Sequence, residues 1–180
     1  MIFFKYLSAD HLSDFYRLLE SPSVIKLKIR YTQNQFEEVF ESFGVCYLIN
    51  NEEYYYESND IRLHAKENQL ITKNYMTNQI LYSEIDRNQL NILDILSGSK
   101  DQIEFLNKDL QSNKHHFAVP YLGFNGYFKF QENTGVLQRI HLIMGSNQTI
   151  DINVVSLKVL KGNFTPKIDL ENFEIIDLRD

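Results

Sequence analysis

His11, His64, His115, His116 and His141, the single Cys46, and the carboxylate pairs Glu37-Glu38 and Glu52-Glu53 are the side chains through which this chain could do acid–base, nucleophilic or metal chemistry. Their spacing assembles none of these. His115 and His116 are adjacent, and adjacent residues of a strand point to opposite faces. His64 and His141 fall at outward positions of alternating segments and read as exposed polar residues. The carboxylate pairs stand in polar surroundings and read as solvated. Cys46, flanked by Val45 and Tyr47, reads as a small core residue, and one cysteine excludes an intramolecular disulfide and a cysteine-based metal cluster. Gly123-Phe124-Asn125-Gly126 has neither the spacing nor the following helix of a phosphate loop. With no Gly-x-Ser-x-Gly elbow and no set of nucleophile, base and oxyanion donors, neither an enzyme nor a metal or cofactor site is expected.

What remains is apolar. Leu27, Ile29, Tyr31, Leu63, Phe128, Phe130, Ile140, Leu142, Ile152 and Val154 fall on the inward parity of alternating segments, and Leu93 and Leu96 on a helical stripe. These residues could build a packed core or line a pocket for an apolar ligand. Apolar residues make up 43% of the chain, which argues against disorder, and the 13% of aromatics come from Phe and Tyr, a bias toward strands. A net charge of −6 makes a nucleic-acid surface an unsuitable reading. No stretch approaches the roughly 20 apolar residues of a membrane-spanning helix. The apolar N-terminus is too short for a secretion leader and lacks a basic start.

The elements that would position these residues form a single domain over 1–180. Asp10 can cap a helix over 10–20, with Leu12, Phe15, Tyr16, Leu18 and Leu19 as its stripe, and Ser21-Pro22-Ser23 ends it. A first meander of strands covers 24–85, beginning with the clean alternation of Val24 to Thr32. Within it, Gln35 to Phe43 fits either a helix or a strand, and Gly44 reads as a break. Leu90, Ile92, Leu93, Ile95 and Leu96 have helical spacing. Ser99 can cap a second helix carrying Ile103, Phe105, Leu106 and Leu110, so a helical lid is expected over 88–112. A second meander covers 116–176. There the inward parity flips between Val154 and Val155, the signature of a β-bulge, which bends a sheet. The fold class is α+β: a strongly curved antiparallel sheet, an unclosed half-barrel, with helices over its apolar concave face.

The ordered set of motifs resembles the LolA family of lipoprotein carriers. Leu18 to Gln33, ending Ile29-Arg30-Tyr31-Thr32-Gln33, is similar to that family's first helix and the strand that ends Phe-Thr-Gln. Gly44-Val45-Cys46-Tyr47-Leu48, followed by Tyr54 to Tyr56, is similar to its Gly-x-Leu-Trp-Val segment and the strand after it. Leu90 to Leu106 stands at the place of its helical lid. Gly135 to Ile140, a strand ending at Met144, Thr149 to Val159 and Asn163 to Phe173 are similar to its closing hairpin and C-terminal ending. Asn50-Asn51 stand where the family often has Arg-Pro, and Ile176-Asp177 where it has Pro-Pro. The resemblance spans about residues 10–176. It implies a periplasmic, non-enzymatic carrier, expected as a monomer, that takes lipid or lipoprotein acyl chains from an inner-membrane transporter to an outer-membrane acceptor. The alternative is a protein-interaction module, of immunity or assembly type, with a filled core on the same scaffold.

Overall fold

The computed structural model describes residues 10–21, 23–50, 53–85, 92–97, 103–109, 112–162 and 164–179. Helix α1 spans His11–Leu19 and buries Leu12, Phe15, Tyr16 and Leu19. Their spacing of three and four residues makes one apolar stripe. The Asp10 carboxylate accepts the Ser13 hydroxyl proton at 2.6 Å and makes no bond to a helix N–H. Twelve strands follow: β1 (Val24–Gln35), β2 (Glu38–Leu48), β3 (Glu53–Ser58), β4 (Ile61–Lys66), β5 (Gln69–Asn74), β6 (Gln79–Glu84), β7 (Glu104–Asp109), β8 (Lys114–Val119), β9 (Phe124–Phe130), β10 (Leu137–Gly145), β11 (Gln148–Leu160) and β12 (Glu174–Asp177). Helix α2 (Ile92–Ser97) lies between β6 and β7.

All twelve strands form one sheet in the order β12-β6-β5-β4-β3-β2-β1-β11-β10-β9-β8-β7. The two meanders join where β1 runs antiparallel to β11, from Val24 opposite Leu160 to Gln35 opposite Gln148. β7 and β12 stand at opposite ends and each pairs with one neighbour, so the sheet is unclosed. An open sheet of this width curls rather than lying flat. Lys28 faces Ser156 and Ile29 faces Val154, which leaves Val155 as the extra residue of a bulge, where the parity flip places it.

The structure decides one segment that the sequence leaves open and departs from the expectation at two others. Glu38–Phe43 is the first half of β2, because the two-residue turn Phe36-Glu37, with φ of 49° and 72°, folds it straight back along β1. Gly44 does not break that strand but lies within it. The second helix of the lid is instead β7, in which Phe105 lies opposite Phe117 of β8. An edge strand offers a row of unpaired N–H and C=O groups, and pairing with it overrides a weak helical spacing. Of the lid over 88–112, the helical part described is α2; residues 86–91, 98–102 and 110–111 lie outside the described residues.

Both helices lie on the inner face, where α1, α2 and strands from both meanders share one buried apolar cluster. The outer face carries a smaller cluster of Val24, Tyr47 and Tyr55, against which Phe164 and Ile168 pack. Phe164 stacks on Tyr47 with ring centroids 4.1 Å apart, and the buried Lys73 Nζ donates to the Asp169 carbonyl at 2.5 Å. The chain after β11 therefore crosses the outside of the first meander. It arrives at β6 as β12, whose pairing is parallel while the other pairings are antiparallel.

Candidate ligand-binding face

Alternation decides which side chains reach the inner face, and register decides which of them meet. One row runs His115–Phe128–Ile140–Ile152–Tyr31–Ser42 across β8, β9, β10, β11, β1 and β2. The next places Val154 opposite Ile29, and Ile29 opposite Gly44. Helix α2 adds Leu93 and Leu96 and packs against β3. The structure brings together all twelve residues that the sequence singles out. Leu27, Ile29, Leu93, Leu96, Phe128, Phe130, Ile140, Leu142 and Ile152 are buried in the cluster, and Tyr31, Leu63 and Val154 are half-buried against it. Leu27, Leu96, Phe128, Ile140, Leu142 and Ile152 have 0% exposure, so side chains pack around them on every side. Among the described residues, these side chains fill the inner face around one another.

The margin near Tyr31 is polar, which the inward list does not capture. The Tyr31 hydroxyl donates to Gln33 Oε1 at 2.9 Å, and Ser42 Oγ lies 3.2 Å from Tyr56 Oη. Burial, then the neighbouring Tyr56, pushes the Tyr31 phenol up to about 12, so it stays a neutral donor and acceptor. The signal for this lip was in the hairpin register: Ser42 faces Tyr31, and Tyr56 faces Cys46 across β2 and β3. Burial also pushes the Cys46 thiol up, away from the reactive thiolate. His115 is a second residue the inward list lacks. It is buried on the inner face, with Nδ1 3.7 Å from Asp10 Oδ1 and its ring edge-on to Phe130.

The outer face holds two carboxylate–histidine pairs. His141 Nδ1 lies 2.8 Å from Asp151 Oδ1, and Arg139 Nε donates to the same oxygen at 2.6 Å. His64 Nε2 lies 3.0 Å from Glu53 Oε1. His64 and His141 do point outward, but they are half-buried and paired with carboxylates rather than freely exposed, because cross-strand neighbours cover them. Burial alone would raise the Asp151 pKa; the bonds from Arg139 and His141 outweigh it and hold the carboxyl below its usual range. A carboxyl depressed in the folded state contributes stability above its unfolded pKa of ~3.9, and that contribution is lost as pH falls through the lower folded value. Asp151→Asn is therefore expected to destabilise the protein at neutral pH and to flatten the fall in stability below about pH 4, read by urea unfolding over a pH series. An acid limb of unchanged steepness would contradict this.

Among the described residues, no group of three or more His, Cys, Asp or Glu side chains is placed to hold a metal ion, and no helix is long and apolar enough to cross a membrane. An open groove of about 550 Å³ lies between Glu20-Ser21, Ile49-Asn50 and Phe164–Pro166, and none of the twelve inward residues lines it.

No protein-family model and no curated protein matches the sequence. Solved structures do match the architecture. An uncharacterized conserved protein from Thermus thermophilus is similar over 92% of this chain and 98% of its own, at a TM-score of 0.52 and 11% identity; this likeness establishes a shared fold. A putative outer membrane lipoprotein-sorting protein domain from Vibrio parahaemolyticus aligns over 86% of this chain and 92% of its own, at a TM-score of 0.49 and 6% identity. A LolA superfamily protein from Nitrosomonas europaea aligns over 84% and 94%, at 0.45 and 6%. The fold is an unclosed, mostly antiparallel half-barrel with helices on its inner face.

Proposed function

We propose that this chain is a non-enzymatic carrier that holds an acyl chain, from a lipoprotein or another lipid, on the inner face of the sheet. The observation that carries the reading is the convergence of all twelve inward residues, Leu93 and Leu96 of the short helix α2 among them, into one apolar cluster. Each methylene buried there contributes ~0.8 kcal/mol, enough for a long chain to compete with the side chains it displaces. The polar lip of Tyr31, Gln33, Ser42 and Tyr56 gives a headgroup or peptide partners where the apolar floor ends. With the sequence resemblance, this supports work in the periplasm between an inner-membrane transporter and an outer-membrane acceptor.

Purified without detergent, the protein is expected to carry lipid that native mass spectrometry detects, and the delipidated protein to bind a fluorescent long-chain fatty acid. Absence of both would sink the reading. The second reading, an interaction module with a filled core, draws on the full burial of Leu27, Phe128, Ile140 and Ile152. It expects neither result.

A further inference from the structure

We propose that Glu38–Phe43, the half of β2 that runs beyond β3, is a docking edge for an extended, lysine- or arginine-bearing segment of a partner protein. The pairing of β2 with β3 ends at Gly44 opposite Ser58, while its pairing with β1 continues to Glu38 opposite Gln35. In a two-residue hairpin the closing pair is hydrogen-bonded and the ladder alternates from there. Val39, Glu41 and Phe43 therefore aim their N–H and C=O groups at the side where β3 has stopped. Val45 and Tyr47, of the same parity, meet β3 there.

Such an edge is a template for another strand. Its side chains are unusually apolar for solvent: Phe36 is 69% exposed, Val39 63%, and Phe40 and Phe43 57% each. The turn itself is strained. Its positive φ values suit Asn-Gly, yet Phe36 and Glu37 occupy them. A strained turn that lifts a phenylalanine into water has no use in packing the core.

Charge selects the occupant. Glu37, Glu38 and Glu41 are exposed around the four apolar side chains, and none has an ion-pair partner among the described residues. A second copy of this chain would bring two sets of these carboxylates together, which is destabilising across paired strands. An anionic lipid surface would repel them. An extended segment that alternates basic and apolar residues meets both the edge and the carboxylates. This docking edge does not depend on the carrier reading and is tested without lipid.

The probes are two fluorescein-labelled ten-residue peptides, one alternating lysine with valine and the other glutamate with valine. Fluorescence anisotropy with the full chain is expected to show at least tenfold tighter binding of the lysine peptide. Glu41→Pro removes the outward N–H from the middle of the edge, a position where an edge strand tolerates proline. It should cut that binding at least tenfold while leaving the thermal midpoint nearly unchanged. Should that variant misfold, the doubly exposed change Glu38→Lys with Glu41→Lys replaces it, and the preference should pass to the glutamate peptide. Equal binding of both peptides, or a preference indifferent to charge reversal, overturns the proposal. So does co-sedimentation with phosphatidylglycerol vesicles that exceeds peptide binding, or concentration-dependent dimers that Glu41→Pro abolishes.

Discussion

Gly126→Ala is expected to lower the unfolding free energy by about 3 kcal/mol or more, the top of the overpacking range. Gly126 lies in β9 between Phe117 of β8 and Leu142 of β10. A Cβ there would stand 2.3 Å from the His141 carbonyl oxygen and 2.5 Å from the Phe117 ring. The carbonyl belongs to a strand paired on both sides, and the ring is fully buried, so neither has room to retreat. Gly145→Ala is the control: nothing lies within 4 Å of its Cβ, and its effect should stay within about 0.5 kcal/mol. Phe117→Leu in the Gly126→Ala background should recover part of the loss, because the two changes share one contact. Urea unfolding of the three variants checks this, and equal small losses at both glycines would show that β9 yields where the geometry says it is held.

That glycine also shows what the sequence could and could not disclose. Gly123-Phe124-Asn125-Gly126 could be excluded as a phosphate loop from spacing alone. Its real task, letting a phenylalanine from the next strand lie across the backbone, depends on which strand is next. Local alternation was enough wherever one face is buried and the other wet. Ile25, Leu27, Ile29 and Tyr31 read correctly as one face of β1, and the flip at Val154–Val155 located the bulge, because period 2 is a property of the single strand. The inward residues of the candidate face were legible for the same reason.

Pairing partners were not legible. Phe105 and Leu106 have helical spacing, yet the open edge of β8 takes them as strand. Glu38–Phe43 could be assigned only once the turn at Phe36-Glu37 was known to fold back on β1. The ion pairs of His64 and His141 lie across strands, with Glu53 and Asp151 brought beside them by register rather than by sequence distance. The crossing segment that leads to β12 shows no periodicity. It is held by scattered anchors, among them Phe164 on Tyr47, the Asp169 carbonyl on Lys73 and Phe173 against Tyr75.

Leu96→Ala on α2 should lower stability by ~2–5 kcal/mol and, under the carrier reading, tighten the binding of a long acyl chain. The two effects share one cause. Ile92, Leu93, Ile95 and Leu96 of α2 are all buried, and at ~1.5–3 kcal/mol each they hold the helix in place with at most on the order of 10 kcal/mol. A sixteen-carbon chain that takes their place recovers ~0.8 kcal/mol per methylene, a sum of the same order. The closed state is then favoured when empty and the open state when loaded, and the apparent affinity is reduced by the small population of the open state. Removing one lid contact returns part of that reduction. At ~1.4 kcal/mol per tenfold, a lid loosened by ~2 kcal/mol gains at most about thirtyfold in affinity. Chain length separates this from a simple hole in a core. The space left by one truncated leucine suits a small ligand, so a filled core predicts the same loss of stability with a gain for a six-carbon chain only. A moving lid predicts a gain that grows with the chain. Titrating six-, ten- and sixteen-carbon fatty acids against the native protein and the variant decides between them: a gain absent at sixteen carbons removes α2 from the loading step.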